Sequence, residues 1–157
     1  MYREFQLPKL FWMNAENSQS EIFFDSSALA KRYIEDEMKS EQIDRLIFEA
    51  HSVIVSIICF PEILSAFARL RREKKLNAAQ YNQCKRSVIE DFTAFQICQL
   101  SPQVIKRSIT LLEHAELRAM DALHVACAIE TKASLFVSSD ERQNVAAKKF
   151  SLTVNPV

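Results

Sequence analysis

The chain has 157 residues, 48% hydrophobic and 25% charged, with 20 Lys and Arg against 20 Asp and Glu. This balance excludes a disordered chain, and zero net charge excludes a strongly basic nucleic-acid coat while leaving room for a local basic groove. A single domain of this length buries roughly 70% of its unfolded surface and needs no disulfide or metal staple.

Residues 1–20 show no clear periodicity. They carry charges and no continuous apolar core, unlike a signal peptide, and Met13 offers an alternative start. They read as an N-terminal extension to one domain spanning 21–157. "EIFF" (21–24) reads as a buried strand, and "DSSALAKRYIEDE" (25–37) follows with helical spacing through Leu29 and Tyr33. In "SEQIDRLIFEA" (40–50), Ile43, Leu46, Ile47 and Ala50 share one helical face. "SVIVSII" (52–58) is β-branched and continuous, the pattern of a central strand. Pro61 opens a helix through Leu76 with Ile63, Phe67 and Leu70 on one side, and Asn77 caps the next helix, 77–95. "FQICQL" (95–100) reads as a strand, and Ser101-Pro102 opens a helix to residue 115. "AMDALHVACAIETK" (119–132) is helical, "SLFVSS" (134–139) a strand, "DERQNVAAKKF" (140–150) a short helix and "SLTV" (151–154) a last strand. Strands alternate with helices and read as apolar runs. The expected class is therefore α/β, with a central, mainly parallel sheet covered by helices on both faces.

Glycine is absent, although average usage predicts about eleven. That excludes the Walker loop, the dinucleotide fingerprint and the glycine-flanked nucleophile elbow. It also leaves helix ends without their usual left-handed residue, a role expected to fall to Asn77, His51 and His114. Cys59, Cys84, Cys98 and Cys127 form no CxxC pair and sit in or beside apolar segments, as reduced core thiols of a cytoplasmic protein do. No apolar run approaches the roughly 18 residues of a membrane span. The three histidines lack the HExxH spacing of a zinc protease.

Four carboxylates then stand out. Asp25 follows "EIFF", Asp140 follows "SLFVSS", Glu62 opens a helix after "SVIVSIICFP", and Asp121 lies in the first turns of its helix. Asp121 falls on the stripe of Leu117, Val125 and Ala128, where an unpaired charge is costly. Each acid has a plainer role as a helix cap or first-turn acid. Together they occupy equivalent places, at the carboxyl ends of strands or the starts of helices, and a parallel sheet gathers those ends along one edge. Carboxylates gathered there repel unless a cation neutralises them, and all-oxygen ligation suits Mg²⁺ or Mn²⁺. Such an ion activates water and holds a phosphate oxygen. For cationic contacts to phosphate, Arg69 and Arg72 share the side of Glu62, Lys31 and Arg32 follow Asp25 by one to two turns, and Arg118 stands beside Asp121. The basic run 68–75 is otherwise a solvated helix end. His124, one turn after Asp121, reads as a packed, hydrogen-bonded core histidine, with a general base as the rival role.

The stretches "FFDSSALAKRYIEDE", "PEILSAFARLRRE", "LRAMDALHVACAI" and "LFVSSDERQNVAAK" cover residues 22 to about 150. In this order they resemble the PIN-domain nucleases, especially the VapC-type toxins of prokaryotic toxin–antitoxin pairs. The resemblance implies a three-layer PIN-like fold and a metal-dependent endoribonuclease. It assigns the acidic site to Asp25, Glu62, Asp121 and Asp140. Asp25 and Asp121 would hold the metal directly, Asp140 would assist, and Glu62 would position or deprotonate the attacking water. Ser138 matches the family's hydroxyl residue two positions before the last acid. Arg118, Ser138, Lys31 and Arg69 are the expected substrate contacts. The implied partners are RNA, a small cognate antitoxin and a second copy of the chain. Family members often carry glycine where this chain has Ala119–Met120 and, after the last helix, Lys149–Phe150. The rival readings are a PIN-like module that binds RNA or protein without efficient cleavage, and a receiver-like domain. The latter needs a lysine where Ser138-Ser139-Asp140 stands.

Overall fold

The computed structural model describes residues 20–34 and 37–157. The expected extension, apart from Ser20, and Met13 lie outside the described residues. Five strands form one sheet: β1 (Glu21–Phe24), β2 (Ser52–Ser56), β3 (Gln96–Cys98), β4 (Leu135–Ser138) and β5 (Val154–Pro156). Their order is β3-β2-β1-β4-β5, and every pairing is parallel. The helices are α1 (Ser26–Leu29), α2 (Glu37–Glu49), α3 (Cys59–Arg72), α4 (Ala78–Ala94), α5 (Pro102–His114), α6 (Ala119–Glu130) and α7 (Glu141–Lys149).

The apolar strands feed two cores, because successive side chains point to opposite faces of a sheet. Ile22, Phe24, Val53, Val55 and Val137 pack against Leu29, Ile43, Ile47, Ile63, Phe67 and Val88 of α1–α4. Phe23, Ile54 and Phe136 pack against Val104 and Leu111 of α5, Ala122, Val125, Ala126 and Ala128 of α6, and Ala147 of α7. Small residues along α6 let that helix lie close on the sheet. The result is the expected three-layer α/β fold, with the sheet entirely parallel.

Several element ends differ from the sequence expectation. The helix after Asp25 is short: α1 stops at Leu29 and a 3-10 turn covers Ala30–Arg32. Arg32 turns inward there, and its Nε lies 2.8 Å from Asp44 Oδ1. Its Nη1 donates to Asp91 Oδ2, which also accepts from the Tyr33 hydroxyl at 2.7 Å. α3 begins at Cys59, ahead of Pro61; proline is tolerated in a first turn, whose amides have no helical partner. The last strand falls on Val154–Pro156 instead of 151–154, and as an edge strand it accommodates proline.

The helix ends also correct the expectation for Asn77, His51 and His114. Left-handed backbone occurs instead at Lys74 (φ 59°), Lys132 (φ 56°) and Ser151 (φ 67°). Each lies two residues past α3, α6 or α7. The amide that follows reaches back to the helix: Lys75 to Leu70, Ala133 to Ala128 and Leu152 to Ala147. These closures fix the left-handed position by backbone geometry, whatever side chain occupies it. Asn77 is extended and caps the start of α4 through Gln80.

Candidate active site

The sheet runs outward in two directions from the β1–β4 pair, so the change in strand order lies between those strands. In open α/β sheets, ligands bind beyond the carboxyl ends at such a point. Asp25 directly follows β1, and its amide donates to the Val137 carbonyl of β4 at 3.1 Å. Asp140 follows the end of β4 by two residues.

Asp25 caps α1, accepting from the Ala28 amide at 2.9 Å through Oδ1. Ser27 Oγ lies 2.9 and 2.8 Å from its two oxygens, and Ser138 Oγ donates to Oδ2 at 2.8 Å. The carboxylate is fully buried. Burial pushes its pKa up, and the nearby His124 with the Ala28, Ser138 and Ser27 bonds offsets that only in part. The bonds Asp25 accepts come from hydroxyls and an amide, not from a cation.

Ser138 also accepts the Asp140 amide at 2.9 Å, and Ser27 accepts the Ser139 amide at 3.0 Å. The segments "DSS" (25–27) and "SSD" (138–140) are thereby clasped together. Asp140 caps α7, its Oδ1 accepting from the amides of Arg142 at 2.8 Å and Gln143 at 3.2 Å. Asp121 sits in the first turn of α6. Its Oδ2 accepts the Arg118 amide at 3.3 Å and its Oδ1 the Gln143 side-chain amide at 3.4 Å. The Arg142 guanidinium stands between these two acids, with Nη2 3.4 Å from Asp140 Oδ2 and 4.0 Å from Asp121 Oδ2.

Glu62, in the first turn of α3, joins the group from the opposite layer. Its Oε2 accepts from Ser26 Oγ at 2.6 Å and faces His124 Nε2 at 2.6 Å. Partial burial alone would raise the Glu62 pKa. The His124 hydrogen bond and charge, with the Ser26 bond, outweigh it and hold the carboxyl below its ordinary value. An ionised Glu62 only accepts, so in that state Nε2 is the donor of the bond. His124 Nδ1 is buried and has no hydrogen-bond partner among the described residues. Thus His124 is packed, as the sequence suggested, and its bond is to an acid of the site.

These bonds, with two short stretches of backbone, close into a ring. It runs from Asp121 along one turn of α6 to His124, to Glu62, through Ser26 to Asp25, and through Ser138 to Asp140. From there α7, with Gln143 and Arg142, returns it to Asp121. All four acids singled out in the sequence lie on it. Ser26, Ser27, Arg142 and Gln143 were not singled out there. Their only sequence signal is adjacency to an acid, which many surface residues share.

The expected substrate contacts are more scattered. Ser138 is buried inside the ring. Arg118 is exposed at the start of α6. Lys31 Nζ donates to the Val157 carbonyl at 2.8 Å. Arg69 is exposed, 4.0 Å from Glu73, and lies about 10 Å along α3 from Glu62 at 1.5 Å per residue. Arg32 belongs to the buried ion pairs of the core instead of facing phosphate. Cys59 is no nucleophile: burial and the nearby Asp25 and Glu62 push its thiol pKa well up.

Among the described residues, no three His, Cys, Asp or Glu side chains converge closely enough to hold one ion between them. The donor chemistry still fits a hard divalent cation, since Mg²⁺ takes one or two carboxylates and keeps several waters. The charge demand fits as well: Asp25 is buried without a bonded cation, and a guanidinium already stands between Asp121 and Asp140. No described helix is long and apolar enough to cross a membrane.

Comparison with solved structures gives relatives of the same fold. FitAcB from Neisseria gonorrhoeae is 19% identical, with 85% of this chain and 95% of that chain covered and a TM-score of 0.63. A toxin–antitoxin complex from Klebsiella pneumoniae is 16% identical, with 78% and 88% covered and a TM-score of 0.60. VapC20 from Mycobacterium tuberculosis, described as a sarcin–ricin loop cleaving toxin, is 16% identical, with 80% and 94% covered and a TM-score of 0.61. At these identities the likeness carries the fold. Comparison with curated proteins finds no match. The PIN domain family model matches residues 22–149, most of the chain. The chain belongs to the PIN domain family.

Proposed function

We propose that this protein is a metal-dependent endoribonuclease and the toxin of a type II toxin–antitoxin pair. The observation that carries the reading is the chain of hydrogen bonds and short backbone links on which Asp25, Glu62, Asp121 and Asp140 all lie, beside the point where the strand order changes. Membership of the PIN family and the toxin–antitoxin relatives add to it.

Asp25 and Asp121 are the proposed ligands of Mg²⁺ or Mn²⁺, with Asp140 assisting directly or through water. When bound, the ion supplies Lewis-acid activation of a water and a contact for a phosphate oxygen. The chain's own residues do the rest. Ser27 and Ser138 fix both oxygens of Asp25. The Arg118 amide and Gln143 fix those of Asp121. Glu62 is ionised at neutral pH and held at Oε2 by Ser26 and His124, which leaves Oε1 to accept a proton from the attacking water. The water oxygen then bonds to phosphorus as a P–O ester bond breaks, and the leaving oxygen takes a proton from bulk water while Glu62 returns its own to solvent. Arg118, Lys31 and Arg69 are the proposed outer contacts to the RNA backbone.

The proposed nuclease domain is residues 21–157, acting in the cytoplasm and blocked by a small cognate antitoxin. A homodimer is proposed because Ile105, Ile109 and Leu112 lie exposed on one face of α5.

The test is cleavage of a mixed RNA pool by purified protein with Mg²⁺, Mn²⁺ or EDTA, beside Asp25→Asn and Asp121→Asn. Metal-dependent cutting, lost in both folded variants, is the expected result. Cutting that persists in EDTA, or in both variants, would overturn the proposed site. No cutting by folded, antitoxin-free protein would favour a binding module.

A further inference from the structure

We propose that Arg142 is an internal counter-ion for the Asp121–Asp140 half of the site, and that it competes with a divalent cation for those carboxylates. The proposal rests on the metal-dependent reading above. Asp121 and Asp140 come from different elements, α6 and the β4–α7 junction, yet one guanidinium nitrogen approaches both, at 4.0 and 3.4 Å. Two carboxylates this close to one point raise each other's energy unless a positive charge stands with them. Arg142 supplies that charge.

Its position is built into the fold. The Arg142 amide is bound at 2.8 Å by Oδ1 of Asp140, so the cap of α7 fixes the backbone beside the acid. Gln143 reaches Asp121 from the next position, holding that carboxylate toward α7. The side chain itself is less fixed. It is about half exposed, and its contacts are at the long end of the ion-pair range, so the guanidinium itself can withdraw into solvent at little cost once another cation stands with the two carboxylates. A guanidinium is also a poor substitute for a small divalent ion. It donates hydrogen bonds in a plane and cannot coordinate water for attack. In the metal-free site the charge of Asp121 and Asp140 is thus partly offset by a residue that must move when an ion arrives.

The experiment measures Mn²⁺ binding directly, by the electron paramagnetic resonance signal of free Mn²⁺, for the full chain without RNA. The proteins are wild type, Arg142→Gln, Arg142→Lys and Lys148→Gln. Lys148→Gln removes one exposed positive charge at the far end of α7, as a control for net charge. Removing Arg142 is expected to tighten Mn²⁺ binding roughly two- to fivefold, a modest factor because a half-exposed ion pair is weak. Arg142→Lys and Lys148→Gln should stay near wild type. If Arg142→Gln binds Mn²⁺ no more tightly than wild type, or no more tightly than Lys148→Gln, the counter-ion role is overturned and the metal site stands. If neither wild type nor Arg142→Gln binds Mn²⁺, the counter-ion role and the metal-dependent reading fall together.

Discussion

Replacing Ser138 by alanine removes one oxygen that serves two parts of the site. The hydroxyl donates to Asp25 at 2.8 Å and accepts from the Asp140 amide at 2.9 Å, and the residue is fully buried. A hydrogen bond to a charged group contributes about 1.5–3 kcal/mol, and the partly buried Asp140 amide, left without its partner, costs up to about 1 kcal/mol more. Ser27 still reaches Asp25 at 2.8 Å, so the expected loss is about 2–4 kcal/mol. For a chain of this length that corresponds to roughly 5–15 °C in Tm. The loss should depend on pH. Burial raises the folded-state pKa of Asp25, so its contribution to stability is fully present below the ordinary aspartate range and is lost as pH rises through the raised value. Ser138's donation favours the ionised carboxylate; without it the pKa rises further and the penalty at high pH grows. The assay is urea unfolding of metal-free protein at pH 5 and pH 8, with Ser139→Ala as the control, since Ser139 Oγ makes only a 3.3 Å contact to the Ser27 carbonyl. A Ser138→Ala loss below about 0.5 kcal/mol at pH 8, or one larger at pH 5 than at pH 8, would refute the reasoning.

His124→Leu removes the hydrogen bond and charge that hold the Glu62 pKa down, so the acidic limb of the RNA-cleavage pH profile should move to higher pH. His124→Gln, which retains a donor, should move it less, and an unmoved limb in His124→Leu would contradict the pairing. Asp91→Ala should destabilise the chain by about 3 kcal/mol in urea, because it takes one of the paired carboxylates away from the buried Arg32 guanidinium; a loss under about 1 kcal/mol would show the ion pair to be dispensable. Lys132→Gly should stabilise by about 0.5–1 kcal/mol, since glycine takes the left-handed position without the clash a Cβ suffers; an unchanged or lower midpoint would count against strain there. All four cysteines are free and buried, so a thiol reagent should label the native protein slowly and the urea-unfolded protein at once; rapid native labelling would contradict the packing.

Periodicity and run length were enough to reveal the layers. "EIFF", "SVIVS" and "LFVS" are too short and too apolar to be surface strands, and the amphipathic stretches between them require a sheet to cover. The acids were legible for the same local reason, because each directly follows a strand or opens a helix. The sequence also determined what this protein lacks: with no glycine, it has none of the glycine-rich loops that cradle a nucleotide. The tertiary structure decided what each acid touches. Glu62 and His124 are 62 positions apart and belong to opposite layers, so no spacing rule connects them. Ser138 meets Asp25 only because β1 and β4 are neighbours across 113 positions. The same holds for the helix ends, where backbone closure placed Lys74, Lys132 and Ser151 in a conformation that residue preference assigned to Asn and His. Local patterning sets which face of an element is apolar and where it stops. Which hydroxyl, imidazole or guanidinium then neutralises a buried carboxylate depends on strand order, and only the folded chain supplies that.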